Sequence, residues 1–215
     1  MKRVAFSLVV LVLASAVPAR AQDPPPRLPI IVIDLQGSIA RFPSDDPLLA
    51  NSRGITVTEL PGSGFGGQMG VHLYPIRSKS ISVGIGGQAI IAQARQTPAT
   101  EVAKQIQAVT EEFRSIGGQL SLNFGKGTGW SYLSGGIGRS NWSIIPGERE
   151  ALETDNEVLK TINWGGGARW FAKSHLAFSF DVRFYTMAAG TPSLPGKNGS
   201  PQTRFMVIGA GISIK

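Results

Sequence analysis

Residues 175–185 read HLAFSFDVRFY, and one side of that stretch carries an imidazole, a hydroxyl and a carboxylate: His175, Ser179 and Asp181. An extended chain alternates its side chains, so these three share a face with Ala177, Arg183 and Tyr185. A base beside a nucleophile, oriented by an acid, is the equipment of acyl transfer. A second candidate is GIGGQA at 84–89, which fits the G-x-G-x-x-A pattern of dinucleotide binding. A third is the GGQ triplet at 66–68, 86–88 and 117–119, which repeats an amide at similar depth in three segments. What each can do depends on the elements that hold it.

Those elements read as strands. Leu176, Phe178, Phe180, Val182 and Phe184 form an uncharged row opposite His175, Ser179 and Asp181. The same alternation marks eight segments, at about 30–42, 65–74, 81–95, 113–124, 130–143, 160–171, 175–187 and 204–214. Each is about ten residues, the length a tilted strand needs to cross a bilayer. The connections alternate long and short without exception: 43–64, 96–112, 144–159 and 188–203 are long, while PIRSK, GKGTG and AKS are short. An up-and-down barrel with one rim outside and one in the periplasm has that rhythm.

The N-terminus places the chain outside the cytoplasm. Lys2 and Arg3 precede an apolar run from Val4 to Val17, and Ala19-Arg20-Ala21 supplies a small-x-small cleavage site. The expected division is a signal peptide at 1–21, a Pro-rich extended leader at 22–29 and a β-barrel domain at 30–215. Without Lys2, Arg3 and Arg20 the 21 basic residues become 18 against 14 acidic, a net charge of +4. That mild balance makes no case for a nucleic-acid partner. There are no cysteines, so an exported chain must be held together by a core, an oligomer or a membrane. No second apolar segment is long enough for a transmembrane helix, which leaves a closed barrel as the way into a bilayer.

On these residues the chain resembles the small eight-stranded outer-membrane barrels, the family that includes the OmpA-type transmembrane domain. The resemblance covers essentially all of 30–215. It implies an all-β fold, an eight-stranded antiparallel up-and-down transmembrane β-barrel. It also implies location in the outer membrane, with outer-membrane lipids and the barrel-insertion machinery as partners. One departure concerns that machinery: such barrels commonly end in an aromatic residue, whereas this chain ends Gly211-Ile212-Ser213-Ile214-Lys215.

The rows then identify inside and outside. Of nineteen polar-row residues in four regular strands, two are charged, Asp181 and Arg183. A water-washed surface carries about 25–35% charge, so these rows suit a cramped lumen better than solvent. Gln68, Gln88 and Gln119 are expected there as a polar layer, with Asp181, Arg183 and Arg169 as a charge-paired cluster that needs its partners. Extending the hairpin around Ala172-Lys173-Ser174 sets Gly165 opposite Asp181 and Asn163 opposite Arg183. Leu176, Phe178, Phe180, Val182 and Phe184 are expected to face lipid. Aromatic residues are expected as two girdles at the strand ends, and a bulge at Gly135-Gly136 would repair the alternation of 130–143. Residues 97–113 read either as a helix capped by Thr97-Pro98 or as a loop between strands that overshoot the membrane.

The candidate chemistry does not survive this topology. His175 lies at a periplasmic turn while the row of Ser179 faces the lumen, away from the outer-leaflet lipid that some barrels acylate or deacylate. GIGGQA sits mid-strand with no helix after it. The expectation is a non-enzymatic integral protein with a structural, surface-interacting or narrow-pore role, no catalytic residues, no metal and no cofactor; the ligand of its long loops is not legible. Two other readings predict different surroundings: a soluble periplasmic lipocalin-like barrel binding an apolar ligand, and a lipid A-modifying barrel enzyme.

Overall fold

The computed structural model describes residues 30–78, 80–96, 108–126, 128–147, 149–192, 196 and 198–215. The expected leader segments 1–21 and 22–29, and residues 97–107 of the second long connection, lie outside them. Eight strands are present: β1 (Ile31–Arg41), β2 (Ser63–Arg77), β3 (Ile81–Gln96), β4 (Val109–Lys126), β5 (Gly129–Pro146), β6 (Asn156–Phe171), β7 (Leu176–Met187) and β8 (Thr203–Ile214). They close into one barrel in sequence order, and every neighbouring pair is antiparallel. β8 returns to β1 from Ile33↔Ile214 to Arg41↔Met206. Closure pairs every strand edge, which an open sheet cannot do.

Alternation sets which side each residue takes. β1 alternates exposed and buried residues along its whole length, with Val32, Asp34, Gln36, Ser38 and Ala40 inside. Its outer row is Ile31, Ile33, Leu35 and Ile39. The same order holds around the barrel. Phe65 is 76% exposed, Ile137 74%, Phe178 62% and Phe180 42%. Leu176, Val182 and Phe184 share the outer row of β7 and are half-buried by their neighbours. This is a continuous belt of exposed apolar side chains, far beyond the scattered few of a soluble surface.

Several details differ from the sequence expectation, each for a physical reason. β3 runs to Gln96, β4 starts at Val109, β5 runs to Pro146 and β6 starts at Asn156, so four adjacent strands project past the others at the long-connection end. Residues 109–113 are therefore strand and not helix. β6 and β7 pair Phe171↔Ala177, Gly167↔Asp181 and Gly165↔Arg183. The expected register was two residues off, because Ala172 N and Lys173 N both reach Leu176 O in a wider turn. Parity survives a shift of two, so the faces are unchanged. β5 keeps one register from Lys126↔Gly129 to Val109↔Pro146, with no bulge at Gly135-Gly136. Trp130, Tyr132 and Trp142 simply point inward. The described bulge lies between Leu73 and Ile76, where Pro75 has no N–H to give the ladder.

The aromatic residues form internal plugs more than external girdles. Trp164, Trp170, Phe65, Phe178 and Phe180 are outside, but Phe42, Phe113, Trp142, Tyr185 and Phe205 are buried in one cluster. Trp130 and Phe171 form another with Ala177. The first connection folds back over the upper cluster as a short helix, α1 (Pro47–Ser52). Asp46 caps it, accepting from Leu48 N at 2.9 Å and Leu49 N at 3.1 Å, and Pro47 sits where a missing N–H costs nothing. Gly54, at φ 70°, ends the turn in the left-handed region.

Candidate functional site: a filled lumen and its cap

The lower lumen is polar and crossed by its own side-chain hydrogen bonds. Gln119 donates to Gln88, Gln88 to Gln68 at 2.9 Å, Gln68 to Gln36 at 2.6 Å, and Gln36 to Ser179 Oγ at 2.9 Å. This amide ladder crosses β4, β3, β2 and β1, then passes over β8 to β7. Gly211 makes the crossing possible, since it pairs with both Gln36 and Ser179 and presents no side chain between them. A Cβ on neighbouring Gly209 would collide with Gln68 Nε2 and sit 3.0 Å from Gln36 Oε1. The GGQ triplets thus supply three of the four rungs; the fourth, Gln36, comes from a segment without the triplet.

Two charge pairs complete the layer. Arg183 holds Asp181 through Nη2 at 3.1 Å and Nε at 3.2 Å, and also donates to Asn163 Oδ1 at 3.0 Å and Ser134 Oγ at 2.7 Å. Tyr132 donates to Asp181 at 2.7 Å. Arg169 goes elsewhere than sequence reasoning placed it. It grips Asp34 from two nitrogens, at 2.6 Å and 2.9 Å, and lies 4.0 Å from the Tyr132 ring centre. Asp34 also accepts from Ser213, and His72 Nδ1 stands 3.7 Å from it. His72 Nε2 meets Gln119 Oε1 at 3.1 Å, joining the pairs to the ladder. Asp34 follows the apolar run Ile30-Ile31-Val32-Ile33, and only its isolation there could have signalled it.

Above this layer the lumen turns apolar. Phe113 meets Phe205 at 4.7 Å between ring centres and Tyr185 at 5.3 Å, and Phe42 meets Phe205 at 4.9 Å. Leu49, Ala50 and Leu60 of the first connection close over them. At the opposite end Trp130 and Phe171 pack at 4.9 Å, with Lys215 Nζ 4.1 Å from the Phe171 ring. The interior is closed at three levels by its own side chains.

The cap is pinned by charges in the connections. Arg53, next to α1, donates to Glu157 at 2.8 Å and to the carbonyl of Asp155 at 3.0 Å. Ser200 of the last connection also donates to Glu157, and Arg149 clasps Asp155 at 2.6 Å and 2.8 Å. Beside them Trp142 Nε1 donates to Glu111 Oε1 at 2.8 Å, while Glu111 Oε2 is buried without a partner. Glu111 lies in the projecting end of β4, beyond outward-facing Arg114 and outside the apolar belt. Burial pushes its carboxyl up to about 8, against the pull of the Trp142 N–H and nearby Arg53. One oxygen bonded and one bare is the pattern of a protonated acid.

The residues that suggested acyl transfer are not assembled. Ser179 is buried and occupied by Gln36, Asp181 by Arg183 and Tyr132, and His175 is exposed on the turn before β7. Four strand residues separate His175 from Ser179, about 13 Å. Among the described residues no cluster of three His, Cys, Asp or Glu side chains is placed to hold a metal.

No family model and no curated protein matches the sequence. The fold is similar to that of Neisserial surface protein A, 12% identical, covering 86% of this chain and 96% of that one with a TM-score of 0.54. Ail, the attachment invasion locus protein of Yersinia pestis, solved with the heparin analogue sucrose octasulfate, is 11% identical over 86% of this chain and 97% of its own, at a TM-score of 0.47. The N-terminal β-barrel domain of Pseudomonas aeruginosa OprF is 10% identical over 86% and 98%, at 0.43. At such identities the likeness is one of fold.

Proposed function

We propose that this chain is an integral outer-membrane barrel that does no enzymatic chemistry and serves as an anchor, holding its long connections at the outer surface. The observation that carries this is the inversion of the usual order: an exposed apolar belt around a polar, filled interior. Water cannot wet that belt cheaply, whereas acyl chains can. The 1–21 signal peptide and the insertion machinery would deliver the chain, with both termini on the periplasmic side. Among the roles open to such a barrel, the three closed levels of the lumen favour surface presentation over passage of a solute.

A soluble lipid carrier would need the reverse arrangement. Its apolar row would line an empty cavity, but here Phe178 and Phe180 are outside, and the inner apolar residues pack against one another. The lipid A enzyme reading has no base–nucleophile pair in the 175–181 row to act with.

Cell fractionation followed by gel electrophoresis with and without boiling tests the proposal. The expected result is recovery with outer membranes and a fast-migrating folded form that shifts on heating. Recovery in the soluble periplasmic fraction without detergent would overturn it.

A further inference from the structure

At the upper edge of the belt the outward side chains are basic on strand after strand: Arg41, Arg95, Arg114, Arg139, Lys160 and Arg204. The acidic residue among them, Glu112, is engaged by Arg114 at 3.3 Å. Arg139 and Lys160 stand apart from the rest. They are directly paired across β5 and β6, and among the described residues no carboxylate forms an ion pair with either. Like charges set opposite each other in a sheet repel. Two cations held side by side on an outer face invite an anion between them.

The next cross-strand pairs down the same two strands are apolar. Ile137 pairs with Ile162, and Gly135 with Trp164, which stacks on Phe184 at 4.6 Å. Ile137, Ile162, Thr161, Thr186 and Ala188 line a groove of about 610 Å³ with Arg139 and Lys160 at its charged end. Thr161 points inward and contributes backbone, and the Thr186 hydroxyl is taken up by Arg204 at 3.2 Å, so the groove is largely apolar below with the Arg139–Lys160 pair above. A free anion would fill only the top of it.

We propose that this groove is a binding site for one phosphate-bearing membrane lipid, its phosphate between Arg139 and Lys160 and an acyl chain along Ile137 and Ile162, running on toward Trp164 below the groove. The inference rests on the outer-membrane reading, which places this rim at the outer leaflet. It adds a held lipid to the general solvation of the belt. The charge complementarity is local: Gln202 and Asn141 are the neutral neighbours, and the pair has no internal counter-charge.

The test uses the full chain refolded in phosphatidylcholine nanodiscs containing a minor fraction of lipid A or its dephosphorylated form. Lipid retained after transfer to detergent is read by native mass spectrometry. The wild type is expected to keep one lipid A and to release the dephosphorylated lipid. Arg139→Gln/Lys160→Gln is expected to weaken retention about thirtyfold, the effect of losing two surface cations. Arg41→Gln/Arg95→Gln, an equal charge loss on β1 and β3 away from the groove, is expected to retain it. Heat-shifted gel mobility shows that each variant is folded. Equal retention of both lipids, an undiminished Arg139/Lys160 double variant, equal loss in the Arg41/Arg95 variant, or binding of inorganic phosphate as strong as that of lipid A would each overturn the site. A wild type that inserts but keeps no lipid defeats this inference alone; one that never inserts defeats the membrane reading.

Discussion

Replacing Arg169 by methionine leaves Asp34 deep in the lumen without its main partner. Both side chains are buried, and Arg169 supplies two of the three hydrogen bonds that Asp34 accepts. What remains is the Ser213 hydroxyl and a His72 nitrogen at 3.7 Å. Breaking one side of a buried pair costs about 3–5 kcal/mol, because a charge stays behind without compensation. Asp34→Asn should cost the same order, since the Arg169 charge then faces a neutral amide oxygen in place of a carboxylate, beside the Tyr132 ring at 4.0 Å and Asn123 Oδ1 at 3.4 Å. The double variant removes both charges, so its loss should fall short of the sum of the singles by about 2 kcal/mol or more. Urea unfolding of the refolded barrel in lipid vesicles, followed by tryptophan fluorescence, reads all three. Simple additivity would refute the reasoning, because it would mean that the two side chains do not depend on each other.

Three further outcomes are expected. Phe180→Arg puts a charge in the apolar belt and should cost about 2–4 kcal/mol of folding stability in a bilayer, read by the same titration; a well-tolerated arginine would argue for water there. Gly209→Val should cost about 1–3 kcal/mol by forcing Gln68 and Gln36 apart, visible as a lower unfolding midpoint with unchanged strand content by circular dichroism. Glu111 carries a folded-state pKa of about 8, above the ordinary 4.5, so the folded chain binds that proton more tightly than the unfolded one. Its contribution is complete below about pH 4.5 and is lost as pH rises through 8, by at most about 5 kcal/mol. Unfolding at pH 5 and pH 9 should therefore differ in the wild type and converge in Glu111→Gln.

Parity was the legible part of this fold. The Phe178 and Phe180 row and the inward amides follow from a period of two, a local property that survives errors in strand ends, and the eight-strand order follows from the long–short rhythm of the connections. Register was less legible, since the turn around Lys173 adds two residues without changing any face. Trp130, Tyr132 and Trp142 resist sequence reading for a related reason: an aromatic near a strand end suits a membrane interface or a plug equally well, and only the continuous pairing of β5 with β4 decides between them. Arg169 and Asp34 lie 135 residues apart in sequence and meet because the barrel closes. Nothing in the neighbourhood of either residue names the other. The cap was the least visible element, because α1 is short and its helix is fixed by a local Asp46 cap and distant contacts of Arg53.

The head-to-tail order of the glutamines has a consequence for how the barrel finds its pairing. Each amide uses its nitrogen toward one neighbour and its oxygen toward the other, so turning one over breaks bonds on both sides. A strand displaced by two residues would keep its oily face outward and escape any check based on greasiness alone. It would, however, leave a gap in the chain of amides and strand their polar atoms inside the barrel. The ladder therefore acts as a proofreading device, rejecting the very misalignment to which alternating sequences are blind.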